Sequence, residues 1–180
     1  MDKKITQTAG RKDLGDFSPM FAHLNDDVLF GEVWNEETPE LTEKDKYQNS
    51  IFFPIGEPND AFAQYFDGQS YLAPVSTSQV PIYNVTFEPS CRNHWHIHHA
   101  SKNGGQMLIC VGGCGYYQEW EKEPVKMLPG DVVNIPAGVK HWHGAAPDSW
   151  FSHLAVEVPA EDGRTEWCEA VSEEDYKNLK

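Results

Sequence analysis

The sequence predicts an all-β fold, a double-sheet jelly-roll barrel behind a short helical amino-terminal extension. Three observations predict it. From Ile51 onward, short runs rich in Val, Ile, Phe and Tyr replace the more polar stretches that precede them. Gly, Pro, Asn and Asp break those runs at short intervals. The runs number about eight, with no convincing helix between them, and that is the strand count of a jelly roll.

The extension is placed at residues 1–60 and the barrel at 61–180. Ser18 and Pro19 supply an N-cap and a first helical position, and Met20, Phe21, Leu24 and Val28 follow at helical spacing. Thr42 to Asp45 reads as a capping box that opens a second short, highly charged helix, and EETPELTEKDK as a solvent-facing stretch or connector. The candidate strands are Ser70 to Ala73, Ile82 to Phe87, His94 to His98, Gln106 to Val111, Gly115 to Glu121, Val132 to Ile135, Lys140 to Gly144 and Ser152 to Val158. The final VSEEDYKNLK reads as a small terminal helix. There is no internal repeat and no low-complexity tract.

At 180 residues the chain suits one domain with an appendage, and 39% hydrophobic content is enough to bury a sizeable core. A formal charge of −14 argues against nucleic acid or an anionic membrane as partner, because both require a basic footprint. A small-molecule ligand or another protein is the expected partner. The first residues lack the apolar segment of a signal peptide, and no run approaches a membrane span, so a cytoplasmic location is expected. Cys91, Cys110, Cys114 and Cys168 form no dense framework and are read as reduced thiols. CVGGC has no second Cys or His pair at matching spacing, so it is read as a strand end and glycine turn rather than half a zinc site.

Six of the eight histidines fall between Asn93 and Gly144. On a strand, residues two apart share a face, so His96 and His98 point together while Ile97 points away, and His141 and His143 do the same with Trp142 reversed. A single histidine in a barrel is more often a hydrogen-bonded core residue. Three or four converging in one small barrel are best explained by a divalent metal, for which neutral imidazole is the commonest protein ligand. His94 and His99 flank the run and are expected to be peripheral. Trp95 and Trp142 face away from the ligands, towards packing or a subunit interface.

These residues resemble the two motifs of the cupin family. The first is matched by His96, His98, Gln106 and Gly113, and the second by Gly130, Pro136, Gly138 and His141. The resemblance spans roughly residues 70 to 176. It implies a cupin double-stranded β-helix with His96, His98, Gln106 and His141 as ligands to one divalent ion, with Mn, Fe, Ni and Zn as candidates. Two departures stand out. The stretch HASKNGG between His98 and Gln106 is longer than the family's spacer, so a water or His99 is the alternative fourth ligand. Gln106 also stands where many cupins have Glu; four neutral ligands would leave the ion its full charge and make it a sharper Lewis acid.

Strand parity places His143 on the inner face with His141. Around FSHLAVEV, either His153, Ala155 and Glu157 face inward, or Leu154, Val156 and Val158 do; the pattern alone favours the apolar set, and the family resemblance favours the other. His143, His153 and Glu157 are thereby candidate proton-handling groups, with Glu157 orienting either histidine. By the same alignment Tyr83, Val85 and Phe87 form an apolar wall. The chain is most similar to a subgroup that includes manganese-dependent cupin hydroxynitrile lyases and carboxymuconolactone-decarboxylase-like members, and FAHLNDDVLFGEVW with LTEKDK resembles the start of the decarboxylase's helical domain. No cysteine precedes Cys91, so that domain's cysteine-histidine centre is not expected here. The resemblance implies a lyase acting on a small hydroxy- or oxo-compound, anionic or carbonyl-bearing. An iron-dependent dioxygenase and a non-enzymatic binding or sensing module are the alternatives. An exposed sheet edge and outward tryptophans suggest a homodimer.

Overall fold

A computed structural model describes residues 40–179. The helix expected after Ser18 and the FAHLNDDVLFGEVW segment lie outside the described residues. A short helix, α1, covers Glu43–Gln48. It opens on the expected capping box: Asp45 N donates to Thr42 Oγ1 and Thr42 N donates to the Asp45 carboxylate, both at 3.1 Å.

Fifteen strands follow: β1 Glu57–Pro58, β2 Phe66–Asp67, β3 Ser70–Ser76, β4 Ile82–Phe87 and β5 Arg92–Asn93; β6 His96–His99, β7 Lys102–Asn103, β8 Gln106–Gly113, β9 Gly115–Glu119 and β10 Val125–Met127; then β11 Val132–Ile135, β12 Lys140–Ala145, β13 Phe151–Glu157, β14 Ala160–Glu161 and β15 Arg164–Trp167. A 3-10 helix at Asp60–Tyr65 precedes β2, and a helix α2 at Glu173–Lys177 follows β15. One sheet runs β1-β3-β4-β13-β8-β11 and the other β10-β9-β12-β5-β2, with β6 joining β12 to β15. Every pairing is antiparallel, and the two sheets form the jelly-roll barrel.

Val85, Phe87, Leu108, Met127, Ile135 and Phe151 are central to the buried interior cluster. A second cluster lies on the outside of the β9-β12 sheet, where Trp95, Tyr116 and Trp142 are covered by Val171 and by Tyr176 of α2. Tyr176 donates its hydroxyl to the Ala145 carbonyl at 2.7 Å, and the Arg92 guanidinium, paired with Glu173, stacks over the Tyr176 ring. The outward tryptophans therefore belong to the chain's own packing, not to an exposed patch. Of the two expectations for Trp95 and Trp142, packing is the one met, and these residues give no support to a subunit interface.

The outside of the other sheet is covered by the segment from α1 to Ile55. Tyr47 donates to Ser152 Oγ at 3.1 Å, and Asn84 Nδ2 donates to the Pro54 carbonyl at 2.8 Å. This cover explains why Leu154 and Val156 sit half-buried on the outer face of β13 while the more polar set, His153, Ala155 and Glu157, faces in. Cys91 and Cys110 are buried thiols, and desolvation pushes them up to about 12 and about 11. CVGGC ends β8 and turns into β9. At Gly113, with φ of 68°, a Cβ would run into the Trp150 carbonyl. Among the described residues no helix is long and apolar enough to cross a membrane.

Candidate metal centre

Strands β6 and β12 are neighbours, with His141 directly opposite His96. His98 is two residues along β6 and so returns to the same face. One ring nitrogen from each of His96, His98 and His141 lies within 4.8 Å of the others, and all three side chains are buried. His96 Nδ1 lies 2.9 Å from the His94 carbonyl and His141 Nδ1 lies 3.0 Å from the Val139 carbonyl. A carbonyl only accepts, so both Nδ1 atoms carry the proton and both Nε2 lone pairs are left free for the interior. Thr165 Oγ1 stands 3.3 Å from His98 Nδ1 in the equivalent place.

The remaining atoms make the test of fit. His98 Nε2, His141 Nε2 and Gln106 Oε1 are buried with no hydrogen-bond partner. Buried polar atoms are nearly always paired, so three orphaned acceptors of ligand type in one place require an explanation, and a cation satisfies all of them. Burial, reinforced by the neighbouring imidazoles, holds His96 well below the usual histidine range. Burial also lowers His98, against the pull of Glu157, and takes His141 down to about 4. All three are thus neutral imidazoles, the form that ligates.

The long stretch before Gln106 does not displace it. The extra residues leave the barrel as β7, which pairs with β14, and return through Gly104 and Gly105, both at positive φ. A Cβ at Gly105 would collide with the Ile135 carbonyl, so glycine is required for the return. Gln106 then opens β8, paired with Ile135 on one side and Glu157 on the other. Its Nε2 donates to Glu157 Oε1 at 2.6 Å.

His99 takes no part. It lies on the opposite face of β6, where its Nε2 meets the Glu166 carboxylate at 2.7 Å, which removes it as a replacement ligand. His94 is also outside the group, 3.8 Å from Asp67.

His143 and His153 form a separate buried pair, with His153 Nε2 3.0 Å from His143 Nδ1. Burial and the neighbouring imidazoles push His143 well below its usual range, and burial alone takes His153 to about 3. Asn93 fixes His143 from the other side: its Oδ1 accepts the His143 backbone N–H at 2.9 Å and its Nδ2 faces the ring. Glu157 lies against Gln106 and His98, not against this pair.

A cavity of about 310 Å³ opens beside these groups. Its polar lining includes His96, His98, Gln106, His143 and Glu157, and its apolar lining Phe62, Phe66, Leu72, Tyr83, Val85 and Trp167, whose ring centroid lies 4.8 Å from that of His96. Phe87 lies deeper than Tyr83 and Val85, packed edge-on against His143 with ring centroids 5.8 Å apart. Sequence reasoning missed Asn93, Thr165 and Trp167. The β5–β6 break at His94 and Trp95 upsets simple alternation, so Asn93 lines the cavity at odd spacing from His96. Thr165 and Trp167 sit on β15, whose only sequence signal is the preceding Asp162-Gly163 turn.

A barrel of two antiparallel sheets with an inward histidine triad defines a class, and comparison with known proteins agrees with it. No family model matches the sequence. An (R)-mandelonitrile lyase of Granulicella tundricola is 37% identical over 119 residues, which are 64% of this chain and 88% of that protein. A cupin-like protein from Thermotoga maritima is 35% identical, with a TM-score of 0.62 over 71% of this chain and 96% of its own. A cupin 2 conserved barrel domain protein from Rhodopseudomonas palustris, 16% identical with a TM-score of 0.52 over 66% of this chain and 78% of its own, shares the fold. The chain belongs to the cupin family.

Proposed function

We propose that this cupin is a metal-dependent lyase for a small hydroxy- or oxo-compound with an apolar substituent. The observation that carries the reading is that one cavity is lined both by His96 and His98 of the convergent triad and by His143 of a second imidazole pair that is not part of it. The likeness to an (R)-mandelonitrile lyase supports the same reaction class.

A divalent ion held by His96, His98, His141 and Gln106, with Mn, Fe, Ni and Zn as candidates, would supply Lewis-acid polarisation of the substrate oxygen. His143 lines the cavity as a neutral imidazole and takes the substrate's hydroxyl proton. As the carbonyl forms, the bond to the leaving group breaks with its electron pair, and the proton is returned to that group. His143, which lines the cavity, returns the proton, and His153 behind it shares that proton across their 3.0 Å contact. No electron leaves or enters the system, so no oxidant is needed. Tyr83, Val85 and Trp167 hold the apolar substituent and exclude water from the reacting end. A homodimer belongs to the same reading, supported by exposed Val125, Leu128 and Val132 on and beside β10 and β11.

The test is a screen of metal-loaded protein against small aromatic hydroxynitriles, hydroxy acids and oxo acids, with and without oxygen. The expected result is cleavage at equal rates in both atmospheres. Turnover that requires oxygen would point to an iron dioxygenase, and binding with no turnover to a sensing module; either result would overturn the lyase.

A further inference from the structure

Of the four candidate donors, Gln106 is the one amide, and its competence depends on the turn of its terminal bond. An amide has an accepting end and a donating end, and half a turn would aim an NH2 group, which cannot ligate, at the histidines. What fixes that turn is visible across the β8–β13 ladder. Glu157 is the direct partner of Gln106, and its Oε1 lies 2.6 Å from Gln106 Nε2. A carboxylate offers only acceptors, so it selects the amide sense that keeps nitrogen on its own side and leaves Oε1, buried and unpartnered, for the cluster. The other carboxylate oxygen stands 3.8 Å from His98 Nδ1. Among the described residues no carboxylate joins the convergent group itself, so Glu157 acts from behind it.

We propose that Glu157 is a positioning residue of the metal centre, which sets the sense of the Gln106 amide and places a negative charge behind two of the four donors. This rests on the metal reading above. The carboxylate that many cupins present directly is here divided into a neutral donor and an anion one hydrogen bond further out. That division keeps the coordination sphere neutral while the surroundings still favour a cation.

The test is a cycle of variants in the full chain, each checked for its thermal melt and titrated with Mn2+ and Zn2+ against a chromophoric chelator. With Gln106 present, Glu157→Ala is expected to weaken metal binding about 10- to 100-fold, the usual range for a group that orients a ligand. Glu157→Gln, which can still accept the Gln106 N–H, should lose only a few-fold. With Gln106→Glu in place, both ends of residue 106 are oxygen and its sense no longer matters, so adding Glu157→Ala should cost nothing or improve binding by removing a neighbouring like charge. An equal cost in both backgrounds would assign Glu157 a charge or folding role and overturn the proposal. So would the absence of any cost with Gln106 present. Failure of the unaltered protein to bind either ion would overturn the metal reading together with this one, and so is distinguishable from the other outcomes.

Discussion

The two faces of β12 carry alternate residues of one short segment, yet they do different work. Outside, Trp142 donates its indole N–H to Gln118 Oε1 at 2.8 Å and packs with Trp95 and Tyr176. Inside, His141 presents a buried Nε2 with no partner, and His143 meets His153 and Asn93. Both faces are buried and aromatic; what separates them is the kind of polar atom left unpaired. Outside, the Arg92 Nε is the buried atom left without a partner, and it belongs to a cation; inside, the unpaired atoms of the convergent group, His98 Nε2, His141 Nε2 and Gln106 Oε1, are of the type that ligates.

The comparison can be broken from either side. The largest effect is expected on the inner face: His143→Ala or His153→Ala should cut turnover 10²- to 10⁴-fold, the usual contribution of a proton-transfer group, while bound metal is retained. Turnover on the substrate found by the screen, measured beside metal content, checks this. On the outer face, Trp142→Ala should cost about 3–5 kcal/mol in urea unfolding, because it empties a fully buried site. Metal affinity of the protein that remains folded should barely change.

Acid sharpens the contrast. Burial lowers the folded-state values of His141 to about 4 and His153 to about 3, so below the ordinary value of 6.5 the unfolded chain binds protons that the folded chain refuses. Stability should therefore be intact above about pH 6.5 and fall as pH drops towards 4, by about 1.4 kcal/mol per pH unit for each such histidine. Urea midpoints across that range measure it, and flat midpoints would contradict the neutral assignment. The smallest effect is expected at His99, whose half-buried pair with Glu166 is worth at most about 1 kcal/mol, so that His99→Ala should leave metal content unchanged.

Much of the inner face was legible because parity and two spaced motifs speak to the same residues. The bounds of β4 and β11 follow from β-branched and aromatic runs closed by turn residues, and the structure has them as read. What stayed hidden depended on contacts rather than pattern. Nothing in EEDYK announces that Tyr176 will cover Trp142, and RTEW is too short and too exposed to predict a strand that lines the cavity with Thr165 and Trp167. The partner of Glu157 was equally hidden. Facing inward is a matter of parity, but lying opposite Gln106 rather than near His143 is a matter of register, which the bulge at Ser152 and His153 helps to set.

The central claim is that His96, His98 and His141, with Gln106, hold a divalent ion. Elemental analysis of the purified protein, repeated on His96→Ala and His141→Ala, tests it most directly. About one equivalent of metal per chain is predicted for the unaltered protein and none for either variant, with both variants folded. Stoichiometric metal surviving in both variants would contradict the account.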